Sequence, residues 1–198
     1  MKRLFTLALL SSALTIPAYA TLKEGDAAAT FTTKAALAGN EFTFSLDEAL
    51  KTGPVVLYFY PAAFTKGCSL EARAFADASE QFKSMGATII GMSKDDIETL
   101  KRFSTADCGS KFAVGSDEDK KIMKAYDAVL MKFLPMSDRT SYVISPDKKI
   151  IYAYSALSHE EHVTNTLAAV KKWRDANPIA TIVVAAPMEA APVAEPAK

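Results

Sequence analysis

The chain has 198 residues, 49% of them hydrophobic and 23% charged, enough for one domain with a substantial core and too few for two comfortable ones. Its 23 basic and 23 acidic residues cancel. That balance excludes the positive excess expected of a nucleic-acid binder, and no acidic run suggests a solvating tail.

In chain order, residues 1–20 read as an export signal. Lys2 and Arg3 form a positive start, Leu4 to Pro17 is mostly apolar, and Ala18-Tyr19-Ala20 matches a signal-peptidase site. The apolar run is shorter than the roughly twenty residues a membrane span requires. Cleavage after Ala20 is therefore expected, giving a periplasmic chain that starts at Thr21 and is not held in a membrane. Loss of Lys2 and Arg3 leaves the mature chain with a net charge of −2. Leu22 to Asp26 follows as an extended entry. Thr30-Phe31-Thr32 and Phe42-Thr43-Phe44 form two short strands around the Gly39-Asn40 turn, and Ser45 caps a short helix with Glu48 three residues on.

Val55 to Tyr60 is a continuous β-branched and aromatic run, the pattern of a strand buried on both faces. Pro61 stops it. A helix is predicted from Cys68 to about Met85, a second buried strand over Ala87–Met92, and a helix from Asp95 to about Ala106. A short strand over Phe112–Val114 and a short helix over Asp119–Tyr126 come next. Tyr142-Val143-Ile144 and Ile150-Ile151-Tyr152 flank the turn at Ser145–Lys148 as an antiparallel hairpin. Ser158, with Glu161 at the third position, caps a last helix running to Trp173. Alternating strands and helices, then a hairpin and a closing helix, predict a three-layer α/β domain over 21–177 with an N-terminal β-hairpin. Residues 178–198, rich in Ala, Pro and Val, read as a flexible tail.

Two cysteines remain in the mature chain, Cys68 and Cys108. In an oxidising compartment they form either a structural staple or a redox pair, and their spacing does not choose between the two. Cys68 itself is more telling. A buried strand ends, Pro61 turns the chain, and the cysteine opens a helix. Unsatisfied N–H groups and the positive dipole end at a helix start favour thiolate, the nucleophilic form of cysteine. Thr65, three residues earlier, can aim a hydroxyl into the same pocket.

The segment Pro61-x-x-x-Thr65-x-x-Cys68, with Glu71 three residues on, resembles the active-site motif of the peroxiredoxins, the AhpC/TSA superfamily. The resemblance runs from about Leu22 to Trp173. It takes in Gly25-Asp26 and the stretch Asp138 to Ile144, where Arg139 precedes a core strand as in the family's second active-site segment. The resemblance implies a thioredoxin-like fold and a thiol-dependent peroxidase acting on hydrogen peroxide and organic hydroperoxides. In that reading Cys68 is the nucleophile and passes through a sulfenic acid. Thr65 and Arg139 bind the peroxide oxygens, Pro61 shields the sulfur, and Glu71 orients an arginine. The Q-type, bacterioferritin-comigratory-protein-like subgroup is the nearest match. Its resolving cysteine often lies five residues after the nucleophile, but Arg73 stands there. Another version places that cysteine on the next helix, where Cys108 is similar. A Cys68–Cys108 catalytic disulfide is thereby implied, with a one-cysteine mechanism or a pairing with another chain as alternatives.

The sequence departs from the family at Ala29 and Lys66, where prolines are usual. It also lacks the Gly-Gly-Leu-Gly loop and C-terminal Tyr-Phe that accompany easy overoxidation, so comparative robustness is expected. A peroxide substrate and a thiol reductant, either thioredoxin-like or a periplasmic thiol relay, are the expected partners of a monomer or homodimer with no cofactor, no metal and no nucleic acid. Competing readings are an exported thiol–disulfide oxidoreductase, weakened by the lack of C-x-x-C, and a non-catalytic thioredoxin-like protein with a structural disulfide. His159 and His162 read as a surface helix start, Met131 and Met136 as filling, and Asp95-Asp96 and Glu160-Glu161 as solvated helix starts.

Overall fold

A computed structural model describes residues 22–131 and 134–178. The export segment expected at 1–20 lies outside the described residues, as do Met131's side chain and all but the first residue of the expected tail. The chain runs β1 (Thr32–Leu37), β2 (Asn40–Ser45), α1 (Leu46–Leu50), β3 (Val55–Phe59), α2 (Lys66–Ser84), β4 (Thr88–Ser93), α3 (Ile97–Ala106) and β5 (Ala113–Ser116). It continues with α4 (Lys121–Ala125), β6 (Val129–Met131), β7 (Leu134–Ser137), β8 (Thr140–Ile144), β9 (Ile150–Ser155) and α5 (His162–Ala176).

Seven strands form one sheet in the order β2-β1-β5-β4-β3-β8-β9. The central strands β3, β4 and β5 are parallel, and the β1–β2 and β8–β9 hairpins extend the two edges antiparallel. The predicted three-layer α/β arrangement with an N-terminal hairpin is the one observed. All five residues of β3 are buried. Val55, Leu57 and Phe59 face a core shared with α1 and α4. Val56 and Tyr58 face the other core, with α2, α3 and α5. A strand covered on both faces has no polar side to show, which is why Val55–Tyr60 reads as continuously apolar.

Several boundaries differ from the sequence reading, each for a local reason. β1 begins at Thr32 and runs to Leu37, because pairing with β2 on one side and β5 on the other extends it. α2 starts two residues before Cys68, at Lys66. α3 starts at Ile97, where the Asp96 carboxylate accepts the Thr99 N–H at 2.8 Å. α5 starts at His162 rather than near Ser158, and Ser158 does not cap it. The small β6–β7 hairpin was not anticipated. As expected, Ser45 Oγ caps α1 through the Glu48 N–H.

One glycine shows how tightly the site side is packed. Gly91 on β4 pairs with Tyr58, and a Cβ there would lie 2.7 Å from the Tyr58 ring and hydroxyl. Tyr58 stacks in turn on Phe75 of α2, centroids 4.4 Å apart. The helix carrying Cys68 thus rests on an aromatic floor that admits no larger residue at position 91.

Candidate active site

β3 delivers Tyr60 and Pro61 to the carboxyl edge of the sheet, and the chain turns through Ala62–Thr65 into α2. Two hydrogen bonds fix this turn from neighbouring strand ends. Ala63 N–H donates to Asp95 Oδ2 at 2.7 Å, which also accepts from Ser93 Oγ at 2.8 Å. Ser137 Oγ donates to the Tyr60 carbonyl at 2.6 Å. Asp95 is half-buried, not the solvated helix start that the sequence suggested, because it closes the turn against β4. Phe64 takes a left-handed conformation (φ 62°), which is rare for a bulky residue, and packs edge-on against Phe103 of α3 at 5.2 Å.

Thr65 is the N-cap residue of α2 but makes no side-chain cap. Its hydroxyl donates to the Ala62 carbonyl at 3.0 Å, on the exposed side, leaving its oxygen lone pairs free to accept. The first intrahelical bond runs from Ser69 N–H to the Thr65 carbonyl. The N–H groups of Lys66, Gly67 and Cys68 precede it and have no intrahelical partner. Cys68, a residue only 2% exposed, therefore sits in the first turn at the positive end of a 19-residue helix.

Arg139, just before β8, meets this sulfur from across the sheet. Its Nη2 lies 3.5 Å from Cys68 Sγ. Nη1 is ion-paired with Glu71 Oε2, and Nε donates to the Leu157 carbonyl at 2.9 Å. Arg139 is buried, so the surface ion pair that a lone arginine usually makes does not describe it. The planar fork is held on two edges and offers the third to sulfur. Gly67 makes room for this, since a Cβ there would come within 3.2 Å of Nη2. Glu71 is fully buried; burial pushes its carboxyl up to about 8, with Arg139 pulling the other way.

Cys108 lies just past α3, fully buried in the same core as Cys68. Both are thiols here. Burial pushes the Cys108 thiol far up, with the neighbouring Asp107 adding to the shift. Asp107 links the two regions, accepting from Ser69 Oγ at 2.8 Å and from Arg73 Nη2 at 2.6 Å, both on α2.

Of the surface helix start expected for the two histidines, His162 does open α5 but is completely buried behind Glu71, and His159 is in the loop before it. Both His162 nitrogens are engaged, Nδ1 with Ser141 Oγ at 2.8 Å and Nε2 with the Ala156 carbonyl at 2.9 Å. No helix-start pattern announces this, because Tyr154 and β8 supply the cover from elsewhere in the chain. Among the described residues, no group of three or more His, Cys, Asp or Glu side chains could hold a metal.

A buried sulfur at a helix start, facing a fixed guanidinium, suits two-electron thiol redox chemistry on a sheet of this type. The AhpC/TSA family model matches residues 25–153, and the chain belongs to that family. Peroxiredoxin Q, chloroplastic, from Populus jackii is 34% identical over 166 residues, covering 79% of this chain and 76% of that protein. Peroxiredoxin Q, chloroplastic, from Oryza sativa subsp. japonica is 37% identical over 118 residues, 59% of this chain. The match spans 54% of the rice protein, about half its length. Among solved structures, peroxidoxin BcpB from Mycobacterium tuberculosis superposes with a TM-score of 0.68 at 30% identity, over 76% of this chain and 97% of that one. A PrxQ variant from Xylella fastidiosa gives 0.69 at 25% identity, over 78% and 98%. The fold is thioredoxin-like, and the likeness is to the Q-type members of the family.

Proposed function

We propose that the protein is a thiol-dependent peroxidase that reduces hydrogen peroxide and organic hydroperoxides at Cys68. The Cys68 thiolate attacks one peroxide oxygen in line. An S–O bond forms and the O–O bond breaks. The sulfur is oxidised by two electrons to sulfenic acid, and the other oxygen leaves as water or alcohol after taking a proton. The observation that carries this reading is the Arg139 fork, 3.5 Å from the sulfur and held from behind by Glu71 and Leu157. Its fixed charge favours thiolate and then stabilises the negative charge that develops on the oxygens. The Cys68 N–H offers a further donor, Thr65 an acceptor for the peroxide proton, and Pro61 a shield over the sulfur.

Cys108 is proposed as the resolving thiol. It attacks the sulfenic sulfur, forms the Cys68–Cys108 disulfide and releases water, and an external dithiol supplies the two electrons that restore both thiols. Both cysteines are buried in the same core, and the step requires their Cα atoms to come within about 7 Å of each other. A thioredoxin-like protein or a periplasmic thiol relay fits as the electron donor. The rice and poplar relatives are named chloroplastic. The Lys2-Arg3 start, apolar run and Ala18-Tyr19-Ala20 favour removal of residues 1–20 and a periplasmic chain.

Stopped-flow mixing of the reduced chain and Cys68→Ser with hydrogen peroxide tests the first claim. Wild type is expected to lose thiol far faster than free cysteine, with the variant silent; equal rates for wild type and free cysteine would sink the peroxidase reading. Non-reducing mass spectrometry after one equivalent of peroxide is expected to show an intramolecular Cys68–Cys108 bridge, and a lasting sulfenic acid would remove Cys108 from the mechanism.

A further inference from the structure

We propose that His162 is a positioning residue for Cys68, acting through Glu71 and Arg139: the buried Glu71–His162 pair holds one shared proton, whose presence sets how much of the Arg139 charge faces the sulfur. The proposal rests on the reading of Cys68 as the peroxide-attacking thiol and extends it to a residue that touches no reacting atom.

The geometry assigns the proton positions. The Ala156 carbonyl can only accept, so Nε2, 2.9 Å away, carries a proton. In the neutral ring Nδ1 is then the acceptor, and Ser141 Oγ–H donates to it at 2.8 Å. The Glu71 carboxyl is split between two neighbours. Oε2 is on Arg139, while Oε1 is buried without a hydrogen-bond partner among the described residues and lies 3.7 Å from His162 Nδ1. An unpartnered carboxylate oxygen facing an imidazole nitrogen is an unfinished ion pair, and one proton completes it from either side.

The consequence for Cys68 follows from charge. With the proton present, the pair is neutral overall, whether it sits on Glu71 or on His162. Arg139 then balances the Cys68 thiolate alone. With the proton lost, Glu71 is a buried anion that takes up most of the Arg139 charge, and thiolate and peroxide oxygens are stabilised less. Burial raises the Glu71 carboxyl to about 8 and lowers the His162 imidazole. Both shifts keep the pair from holding zero or two protons near neutral pH. The other charged or titratable groups around the ring are Arg139 before β8, Tyr154 on β9 with its ring 4.8 Å away, His159 on the loop, and Glu161, which accepts the Tyr154 hydroxyl at 2.6 Å.

The test is the pH profile of the second-order rate constant of the reduced full chain with hydrogen peroxide. Wild type is expected to slow on the alkaline side, near pH 8. His162→Gln keeps a donor for Ala156 but removes one proton site, so the midpoint of that slowing is expected to move down by about one pH unit. Ser141→Ala removes the hydroxyl that occupies Nδ1, frees it to hold a proton against Glu71, and is expected to move the midpoint up. A purely structural role would scale the rate at every pH and leave the midpoint in place; unmoved midpoints in both folded variants overturn the proposal. Nitrogen NMR of the two histidines decides independently of activity and without a His162 variant. His162 is expected as the Nε2–H tautomer at neutral pH, with its Nδ1 shift moving near pH 8 as Glu71 loses its proton, and Glu71→Gln is expected to abolish that movement. An Nδ1 shift with no step near pH 8, or a step that survives Glu71→Gln, also overturns it. Absence of any fast wild-type reaction would instead count against the peroxidase reading, with the NMR result still standing.

Discussion

Arg139 makes three contacts with one side chain because a guanidinium has five N–H donors in a fixed plane. Glu71, the Leu157 carbonyl and the Cys68 sulfur take three edges of that plane. A lysine carries the same charge on a flexible stem and cannot hold all three. Arg139→Lys is therefore expected to lower the rate with hydrogen peroxide by about 10²–10³-fold, on the order of what losing one donor from an oxyanion site costs. Stopped-flow kinetics on a variant with wild-type circular dichroism checks this, and a loss of only a fewfold would mean that charge alone suffices. Gly67 belongs to the same residue-scale design, since its missing side chain lets the guanidinium approach the helix start.

Between elements, the two cysteine regions are clasped by Asp107. This carboxylate ends α3 and accepts from Ser69 and Arg73 on α2. If Cys108 has to meet Cys68, those bonds hold the closed arrangement and have to release. Asp107→Ala is expected to destabilise the fold by about 1–3 kcal/mol, the range for losing hydrogen bonds that involve a charged group. It is also expected to speed alkylation of Cys108 and formation of the bridge after peroxide. Denaturant melts and timed alkylation measure the two effects; a destabilised variant whose Cys108 reacts no faster would show that the clasp does not guard that thiol. The aromatic stack of Tyr58 on Phe75, seated over Gly91, anchors α2 beyond its first turn.

At the scale of the whole molecule, a titratable carboxyl in the core makes stability depend on pH. Glu71 titrates near 4.5 in an unfolded chain and at about 8 when folded. Between those values the folded state keeps a proton that the unfolded state has lost, so stability falls as pH rises through that window. The Tm of wild type is expected to drop from pH 5 to pH 8 more steeply than that of Glu71→Gln, whose amide does not ionise. Parallel Tm curves from scanning calorimetry would mean that the Arg139 pairing outweighs burial and holds Glu71 ionised throughout.

The local pattern was enough to place Cys68. A doubly buried strand, a proline stop and an amphipathic helix are properties of neighbouring residues, and they put the cysteine in the first turn of α2 whatever packs around it. The order of strands and helices, and with it the three-layer fold, followed from the same periodicities. The resemblance carried by Pro61, Thr65 and Arg139 supplied the expected site. What the sequence could not decide was the fate of polar side chains. Asp95 and His162 read as solvated because sequence shows a residue's type but not its cover. Only the folded chain brings β4 over the Ala62–Thr65 turn and β8, β9 and α2 around the imidazole. Burial of a polar group is a long-range property, set by elements tens of residues away, and so is the chain of contacts from His162 through Glu71 and Arg139 to Cys68.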